Sequence, residues 1–173
     1  CGIPTPDMYV GIWYGRGVLA NPQSYHDGKT INYQLPSSVV DGRVGLSGAW
    51  KTGKNGVTYR GKTKKQGGAA PAELVMQYHA RELYSVMNVG NSHPARLYVT
   101  QDGHDLTQTN KGADVQFDDQ GHSYIEVRAP RMYYLVQNPS FGSHKVALRP
   151  SASGIAVNSF TFGNNCQTGF AHL

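Results

Sequence analysis

The stretch ELVMQYHARELYSVMNV, residues 73–89, decides the fold class of this chain. In Glu73–Ala80 apolar side chains recur at every second position, and the same period returns in Leu83–Val89 after the charged pair Arg81–Glu82. Successive side chains of a β-strand point to opposite faces, so a period of two indicates a strand with one buried face. We therefore predict two strands here, with a break between them at Arg81–Glu82.

The same alternation recurs along the chain, and turn residues separate its segments. Further alternating segments are Ala95–Thr100, Ser123–Arg128, Met132–Val136, Val146–Leu148 and Ile155–Phe162. Strong turn signals are Asn55–Gly56, Asp102–Gly103 and Asp118–Gly121. Short strands with turns at close intervals are typical of antiparallel sandwiches and barrels. We predict an all-β, two-sheet antiparallel sandwich of jelly-roll type, with about nine to ten strands.

The composition agrees with short strands joined by tight turns. Of the 173 residues 21 are Gly and 11 are Tyr, and only 16% are charged. No apolar run approaches the roughly 20 residues of a membrane span, and long windows of helical period are missing. A chain of this length suits one domain. We expect an extended N-terminal segment over residues 1–8, a single β-sandwich domain over 9–163 and a C-terminal tail over 164–173.

Positive charge is concentrated in one part of the chain. The formal net charge is +5, and no acidic residue occurs from Gly42 to Ala72. The basic residues of this window are Arg43, Lys51, Lys54, Arg60, Lys62, Lys64 and Lys65. The window is either a solvated set of hairpins and loops or a patch that binds an anionic polymer. Nucleic acid is the less favoured partner, because only Trp50 and Tyr59 supply aromatic rings nearby.

The two cysteines lie at opposite ends of the sequence. Cys1 and Cys166 form no C-x-x-C motif and are too few for a four-cysteine zinc site. An end-to-end disulfide would suit a sandwich whose termini lie close together. The alternatives are two unrelated thiols, a lipid-modified Cys1 of an exported protein, or a Cys1 left by trimming of a longer chain.

Catalytic constellations are hard to find in this sequence. It contains three glutamates, Glu73, Glu82 and Glu126, and no G-x-S-x-G nucleophile motif. Glycoside hydrolysis needs two carboxylates that face one bond, and a pairing of Glu82 with Glu126 in space is not visible in the sequence. We expect no enzymatic activity.

Metal and phosphate motifs are also missing. The seven histidines form neither H-x-H nor H-E-x-x-H, although His104 and His122 each have aspartates close by. A structural calcium held by Asp114, Asp118 or Asp119 with loop carbonyls is chemically reasonable. The other interpretation is that Asp118–Gly121 is a hairpin loop, where Asp and Gly serve the turn. We expect no other cofactor.

What remains is a set of flat aromatic and planar polar side chains. Carbohydrate sites pair an aromatic platform, which meets the C–H face of a sugar, with planar groups that bond its hydroxyls. The aromatic candidates are Trp13, Tyr14, Trp50, Tyr133 and Tyr134, and the polar candidates are Arg81, Arg131 and Gln137. From these we select Trp50, Arg81, Arg131, Tyr133 and Gln137 as candidate ligand-binding residues. The alternative for each aromatic residue is burial in the core with its polar tip bonded.

Six short runs, taken in order, point to one family. They are Thr5–Gly11, Gly45–Trp50, Ala80–Tyr84, Gly112–Val115, Arg131–Val136 and Ala156–Gly163. In this order the chain resembles the C-terminal domain of DipZ-type, thioredoxin-like bacterial proteins. The resemblance implies a β-sandwich similar to carbohydrate-binding modules, which follows a thioredoxin-like domain and lies outside the cytoplasm. By matching position, the resemblance points to Arg81, Arg131 and Tyr133 as site residues. The alternative for the two arginines is that they hold the sandwich together through charge-assisted hydrogen bonds.

The chain departs from that family pattern at several places, which include the unmatched acidic position at Trp13–Gly17 and the tail Cys166–Leu173. The thioredoxin-like domain and its C-x-x-C are not in this sequence, so no thiol–disulfide activity is carried over. The pattern has Gln where this chain has Tyr134, and the lysine-rich part of residues 51–65 is not matched. The chain is therefore either an excised domain or a stand-alone relative.

We predict a non-catalytic, extracytoplasmic β-sandwich binding module, of periplasmic, secreted or surface-anchored location, whose partner is a glycan or another cell-surface polymer. The alternative is a structural subunit of a cell-surface assembly, which self-associates into a filament by strand exchange or head-to-tail contact. Its donor strand would be Cys1–Tyr9.

Overall fold

A computed structural model describes residues 2–14, 17–62 and 71–165. Its strands are β1 (Met8–Tyr9), β2 (Thr30–Tyr33), β3 (Val44–Thr52), β4 (Val57–Tyr59), β5 (Glu73–Asn88), β6 (Ala95–Gln101), β7 (His104–Asp105), β8 (Gln116–Phe117), β9 (Ser123–Val127), β10 (Arg131–Pro150) and β11 (Ala156–Gly163). Within these ranges there is no helix, and hence none that is long and apolar enough to cross a membrane. The all-β prediction is confirmed.

Two long strands, β5 and β10, run through positions where we expected interruptions. The predicted break at Arg81–Glu82 is wrong, because β5 continues through it and stays paired with β10 on both sides. From Met76 to Ala80 the buried positions are even-numbered, and from Leu83 onward they are odd-numbered. The charged pair therefore marks a change of the buried face within one strand, and not the end of the strand.

The two long strands are shared by both layers of the sandwich. The first half of β5 pairs with β3, and its second half pairs with β11. Strand β4 connects the layers again, because it pairs with β3 on one side and with β11 on the other. The antiparallel sandwich is confirmed, with its layers joined into one hydrogen-bonded network of 11 strands. The count exceeds nine to ten because β1, β7 and β8 have only two residues each.

The predicted turns join these strands. Asp102 and Gly103 have φ of 52° and 80° and form the two-residue connection between β6 and β7. Positive φ at both central residues is the requirement of a type I′ hairpin turn, which Asp-Gly satisfies. Asn55–Gly56 lies between β3 and β4, and Asp118–Gly121 lies between β8 and β9. All three turn predictions are confirmed.

The N-terminal segment packs onto the sandwich. β1 pairs with β11, and Thr5, Met8 and Val10 are all buried. The Thr5 amide donates to the carbonyl of His79 on β5. Residues 5–10 thus contribute to the same core as the long strands, while the domain limits 1–8, 9–163 and 164–173 stay predictions.

A closed ring of three polar side chains lies inside the sandwich. The Tyr78 hydroxyl donates to Oε1 of Gln101 (2.5 Å), Nε2 of Gln101 donates to Oδ1 of Asn138 (2.7 Å), and Nδ2 of Asn138 donates to the Tyr78 hydroxyl (3.1 Å). All three residues are buried. Burial raises the pKa of Tyr78 far above its usual value, so the hydroxyl keeps its proton. The ring ties β5 and β6 to the part of β10 where its pairing with β5 slips.

We expect Tyr78→Phe to destabilise the fold by about 2–4 kcal/mol, because it leaves Gln101 Oε1 without its donor and Asn138 Nδ2 without its acceptor. Urea unfolding followed by tryptophan fluorescence measures the loss. Tyr98→Phe is the matched control, since that hydroxyl accepts only a long, exposed bond from Arg96 (3.5 Å). It should cost less than about 0.5 kcal/mol. Equal losses in the two variants would contradict a special role for the buried ring.

Candidate functional site

Trp50 is a core residue. Its side chain is fully buried, its Nε1 donates to the carbonyl of Ser47 (2.8 Å), and its ring lies 5.4 Å from that of Tyr59. A ring without exposed surface offers no face to a ligand, and ligand binding by Trp50 stays an untested prediction that this burial does not favour. The alternative interpretation, a buried aromatic with a bonded polar tip, describes it.

Arg131 and Tyr133 form a clamp with Asp114. The guanidinium of Arg131 lies 3.9 Å from the ring centre of Tyr133, and its two terminal nitrogens donate to the two carboxylate oxygens of Asp114 (2.9 and 3.2 Å). Oδ2 of Asp114 also accepts from the amide of Tyr134 (2.8 Å). Arg131 holds the pKa of Asp114 below its usual value. The clamp fastens the 112–115 loop to β10.

Tyr133 is buried on the inner side of this clamp. Its hydroxyl donates to the carbonyl of Ala129 (2.8 Å) and accepts from the amide of Arg128 (2.9 Å). Only 1% of the residue is exposed. The hydroxyl of Tyr133 thus both donates and accepts within the turn before β10, which gives the residue a structural role. Ligand binding by Tyr133 stays an untested prediction that its burial does not favour.

Arg81 and Gln137 lie next to the slip in the pairing of β5 with β10, which falls between Gln137 and Gly142. Nε of Arg81 donates to the carbonyl of Asn138 (3.1 Å), and a terminal nitrogen donates to the carbonyl of Asn165. Gln137 is exposed and stands opposite Glu82 in the strand register. Arg81 therefore has a structural task, whereas Gln137 stays available to a ligand.

The calcium candidates have separate positions. Asp114 is held by Arg131, and Oδ1 of Asp118 accepts from the amides of Gln120 (2.9 Å) and His122 (2.8 Å), which closes the turn. Asp119 is exposed. The described ranges contain no group of three or more His, Cys, Asp and Glu side chains that could hold a metal. Structural calcium thus stays a prediction, and the cysteine pair Cys1–Cys166 lies outside the described residues.

Three histidines bond through Nδ1 to single aspartates: His79 to Asp41 (2.7 Å), His122 to Asp105 (3.0 Å) and His144 to Asp102 (2.7 Å). The aspartates near His122 are thus hydrogen-bond partners of a turn. The two glutamates also have separate partners, because Glu82 accepts from the Tyr84 hydroxyl (2.9 Å) and Glu126 from Arg128 (2.7 Å). Strands β5 and β9, which carry them, are separated by β10 and β6 in the sheet.

The outer face of the layer formed by β10, β5, β11 and β1 carries partly exposed side chains. Side chains directly opposite each other in paired strands share a face. One cross-strand row consists of Tyr134, Tyr84 and Thr161. The next row consists of Met132, Val86, Ser159 and Tyr9. The rings of Tyr84 and Tyr134 stack with centres 4.3 Å apart. We call this surface the outer face.

A β-bulge gives the outer face an additional polar group. The pairing of β11 with β5 slips between Val157 and Ser159, which makes Asn158 an extra residue. Nδ2 of Asn158 donates to the carbonyl of Asn55 (2.9 Å), and its Oδ1 accepts from Nδ2 of Asn88 (3.1 Å). Bulges commonly re-aim a side chain in this way. Two successive residues, Asn158 and Ser159, therefore line the same pocket.

That pocket, which we call the aromatic pocket, has a volume of about 240 Å³. It is lined by Tyr9, Gly11, Tyr14, Lys54, Asn55, Asn158 and Ser159. The rings of Tyr9 and Tyr14 lie 5.8 Å apart, and the ammonium of Lys54 lies 5.3 Å from the ring centre of Trp13. The exposed fractions are 51% for Tyr9, 55% for Trp13 and 72% for Tyr14. Here aromatic faces are open to solvent, which is not so at Trp50.

Two glycines allow the walls of the aromatic pocket to meet. The amides of Ile12 and Trp13 donate to the carbonyls of Gly53 (3.0 Å) and Lys54 (3.2 Å), which docks residues 11–14 on the β3–β4 turn. A Cβ at Gly11 would collide with the Lys54 carbonyl, and one at Gly56 would collide with the Val157 carbonyl. The sequence contained these signals in the run Thr5–Gly11 and in Asn55–Gly56, but did not show that they meet.

A family model described as the thioredoxin-like C-terminal domain matches residues 5–163. The chain belongs to that family. The resemblance in the six sequence runs is confirmed, and their positions explain why they occur together. The run Gly112–Val115 contains Asp114, which is clamped by Arg131 from another run, and the run Thr5–Gly11 pairs with Ala156–Gly163.

Solved structures show a partial likeness. A family two carbohydrate esterase from Cellvibrio japonicus has 14% identity and a TM-score of 0.49, with 69% of this chain and 30% of that chain covered. The corresponding esterase from Clostridium thermocellum, solved with cellohexaose, has 15% identity and a TM-score of 0.43, with 63% and 27% covered. The chain thus spans less than a third of those chains. No curated protein matches the sequence.

The Arg131–Asp114 clamp should contribute to acid denaturation. Because the pKa of Asp114 is lowered in the fold, its stabilisation is present above the unfolded pKa and is lost as pH falls through the folded pKa. We expect Asp114→Asn to lower stability at pH 6 and to reduce the further loss between pH 6 and pH 3. Urea unfolding at a series of pH values measures both effects.

Arg131→Gln and the double variant provide the control for the clamp. If the two residues act as a pair, the double variant should lose less stability than the sum of the two single losses, since each single change already breaks the Arg131–Asp114 ion pair. Additive losses would show that Asp114 and Arg131 stabilise the fold independently.

Proposed function

We propose that this chain is a non-catalytic, extracytoplasmic module that binds carbohydrate at the aromatic pocket and along the outer face. The observation that carries the proposal is a pocket lined by the exposed rings of Tyr9 and Tyr14 and by the amides of Asn55 and Asn158, with the exposed ring of Trp13 next to the pocket residue Lys54. Large aromatic side chains are usually mostly buried, so a group of exposed ones at one pocket indicates a ligand-binding surface.

The pocket offers both kinds of contact that a sugar requires. Its rings present flat apolar surface to the C–H face of a pyranose. Asn158 uses one of its two N–H donors and one lone pair in holding Asn55 and Asn88, and so retains one donor and one acceptor. The exposed side chain of Asn55 makes no hydrogen bond within the described ranges. Such paired donors and acceptors match a ring of hydroxyls.

The outer face is wide enough for more than one sugar. It crosses four adjacent strands, and strands lie about 4.8 Å apart, which gives roughly 14 Å from β10 to β1. Met132, which is 49% exposed, and the stacked Tyr84–Tyr134 pair lie at the end remote from the pocket. Gln137 supplies an exposed amide near the same end. A short oligosaccharide is therefore a better match than a monosaccharide.

The extracytoplasmic location is part of the proposal. It is supported by membership of the thioredoxin-like C-terminal domain family together with the resemblance to DipZ-type proteins. The proposal that the module is non-catalytic is supported by the separate hydrogen-bond partners of Glu82 and Glu126.

The alternative, a self-assembling surface subunit, stays a prediction. In the structure residues 5–10 are built into the chain's own sandwich. Strand exchange would first have to remove Met8 and Val10 from the core, since they are 3% and 0% exposed. No contact among the described residues favours this function over ligand binding.

We expect Trp13→Ala and Tyr14→Ala each to weaken glycan binding by about tenfold or more, because each removes a stacking surface worth roughly 1.4 kcal/mol or more. Affinity electrophoresis against immobilised neutral and acidic polysaccharides, followed by calorimetry on those that retard the protein, measures the effect. Tyr98→Ala on β6 is the matched control and should bind as the parent chain does. No retardation by any polysaccharide, or unchanged binding by the Trp13 and Tyr14 variants, would refute the proposal.

A further inference from the structure

Lys54 is the cation of the aromatic pocket, and it has no carboxylate partner in the described part of the chain. The ion pairs of the fold involve other residues. The ammonium lies over the ring of Trp13, 5.3 Å from the ring centre. The 53–56 turn that carries Lys54 belongs to the acid-free window from Gly42 to Ala72. Within the ranges 2–14, 17–62 and 71–165, no carboxylate thus neutralises the positive charge at the pocket.

Charge is distributed unequally along the outer face. Lys51 lies in the cross-strand row of Asn88, Ala156 and Thr58, which is on the pocket side of the Tyr9 row. The acid Glu82 lies at the opposite end, where it accepts from the Tyr84 hydroxyl. Asp7 precedes Tyr9 by two residues, on the side of β1 that is away from residues 11–14. The face is therefore basic at the pocket and acidic at its remote end.

We propose that the aromatic pocket binds an acidic sugar, namely a uronate residue whose carboxylate pairs with the Lys54 ammonium while its ring stacks on the exposed aromatics. This inference rests on the proposed carbohydrate binding and specifies its ligand class. An ammonium has three donors, so Lys54 can retain its contact with Trp13 and still donate to a carboxylate oxygen. Hydrogen bonds between charged groups are about twice as strong as neutral ones.

The unequal charge of the outer face also sets the orientation in which an acidic oligosaccharide binds. A uronate placed at the remote end would face Glu82, where like charges repel. A mixed glycan would therefore bind with its uronate at Lys54 and a neutral sugar toward Tyr84 and Tyr134. Because Lys54 is exposed, salt should screen the carboxylate contact, with a Debye length of about 8 Å at 0.15 M.

Calorimetry with matched oligosaccharides tests this inference. The probes are oligogalacturonate, oligoglucuronate and oligomannuronate, each beside its carboxyl-reduced counterpart, in which CH₂OH replaces the carboxylate on the same ring. We expect at least one uronate to bind about tenfold more tightly than its reduced form at low salt. Raising NaCl to 0.5 M should remove most of that difference.

Lys54→Gln should bring the two affinities to within about twofold, because it removes the charge that distinguishes a carboxylate from CH₂OH on the same ring. Lys54→Arg should retain the preference, and Lys145→Gln, which removes an exposed lysine of β10, should not alter it. Thermal unfolding of each variant verifies that the fold is intact.

The outcomes separate this inference from the proposed function. Equal binding of a uronate and its reduced form by the parent chain would overturn the acidic-sugar inference while carbohydrate binding stood. A preference that survives in Lys54→Gln would also overturn it, since another cation would then be responsible. Failure of every probe, together with the neutral and acidic polysaccharides, would overturn carbohydrate binding itself.

Discussion

Tyr78, Gln101 and Asn138 meet inside the sandwich where β10 slips against β5, and the arrangement of the outer face depends on their ring of hydrogen bonds. Leaving a donor or acceptor of this ring unpaired in the core is costly, so the three strands are held in one register. Arg81 donates to the carbonyl of Asn138 from outside the ring. Asn138, at the slip in the pairing of β10 with β5, is therefore bonded through its side chain to Tyr78 and Gln101 and through its carbonyl to Arg81.

Beyond this slip, the second half of β5 buries the opposite face from the first half. Leu83 and Met87 enter the core, while Tyr84 and Val86 face outward. The slip between Tyr134 and Val136 lets β10 follow, so that Tyr134 comes opposite Tyr84. The same constraint thus creates the stacked pair and the rows that lead to the aromatic pocket, because the outward set of residues depends on the phase of each strand.

Much of the fold was predictable from sequence because its determinants are local. Alternation marked β6, β9 and β11, and the dipeptide Asn55–Gly56 marked the turn between β3 and β4. Asp102–Gly103 marked a turn whose backbone angles few other residues adopt. The prediction of a strand break at Arg81–Glu82 was wrong because strand continuity there depends on pairing with a distant strand. Two adjacent charged residues look like a strand end, but here pairing with β10 continues across them and only the buried face changes.

The candidate site was predictable only in chemical type. Sequence reasoning proposed aromatic rings with planar polar groups, yet Trp50 and Tyr133 proved to be buried, and Arg131 proved to be engaged with Asp114. Trp13 and Tyr14 were considered but not selected, and Tyr9, Asn55 and Asn158 were not considered. No local pattern distinguishes an exposed tryptophan from a buried one, because burial depends on which distant segments of the chain pack against the side chain.

The sequence by itself determined the all-β class, the turns, the family and the acid-free basic window, since each of these is encoded in neighbouring residues or in composition. Only the tertiary structure decided that residues 11–14 dock on the 53–56 turn beside the bulge at Asn158. That meeting joins three segments far apart in the chain. It requires Gly11 and Gly56 to let backbones approach, and it depends on a strand register that exists only once the strands have paired.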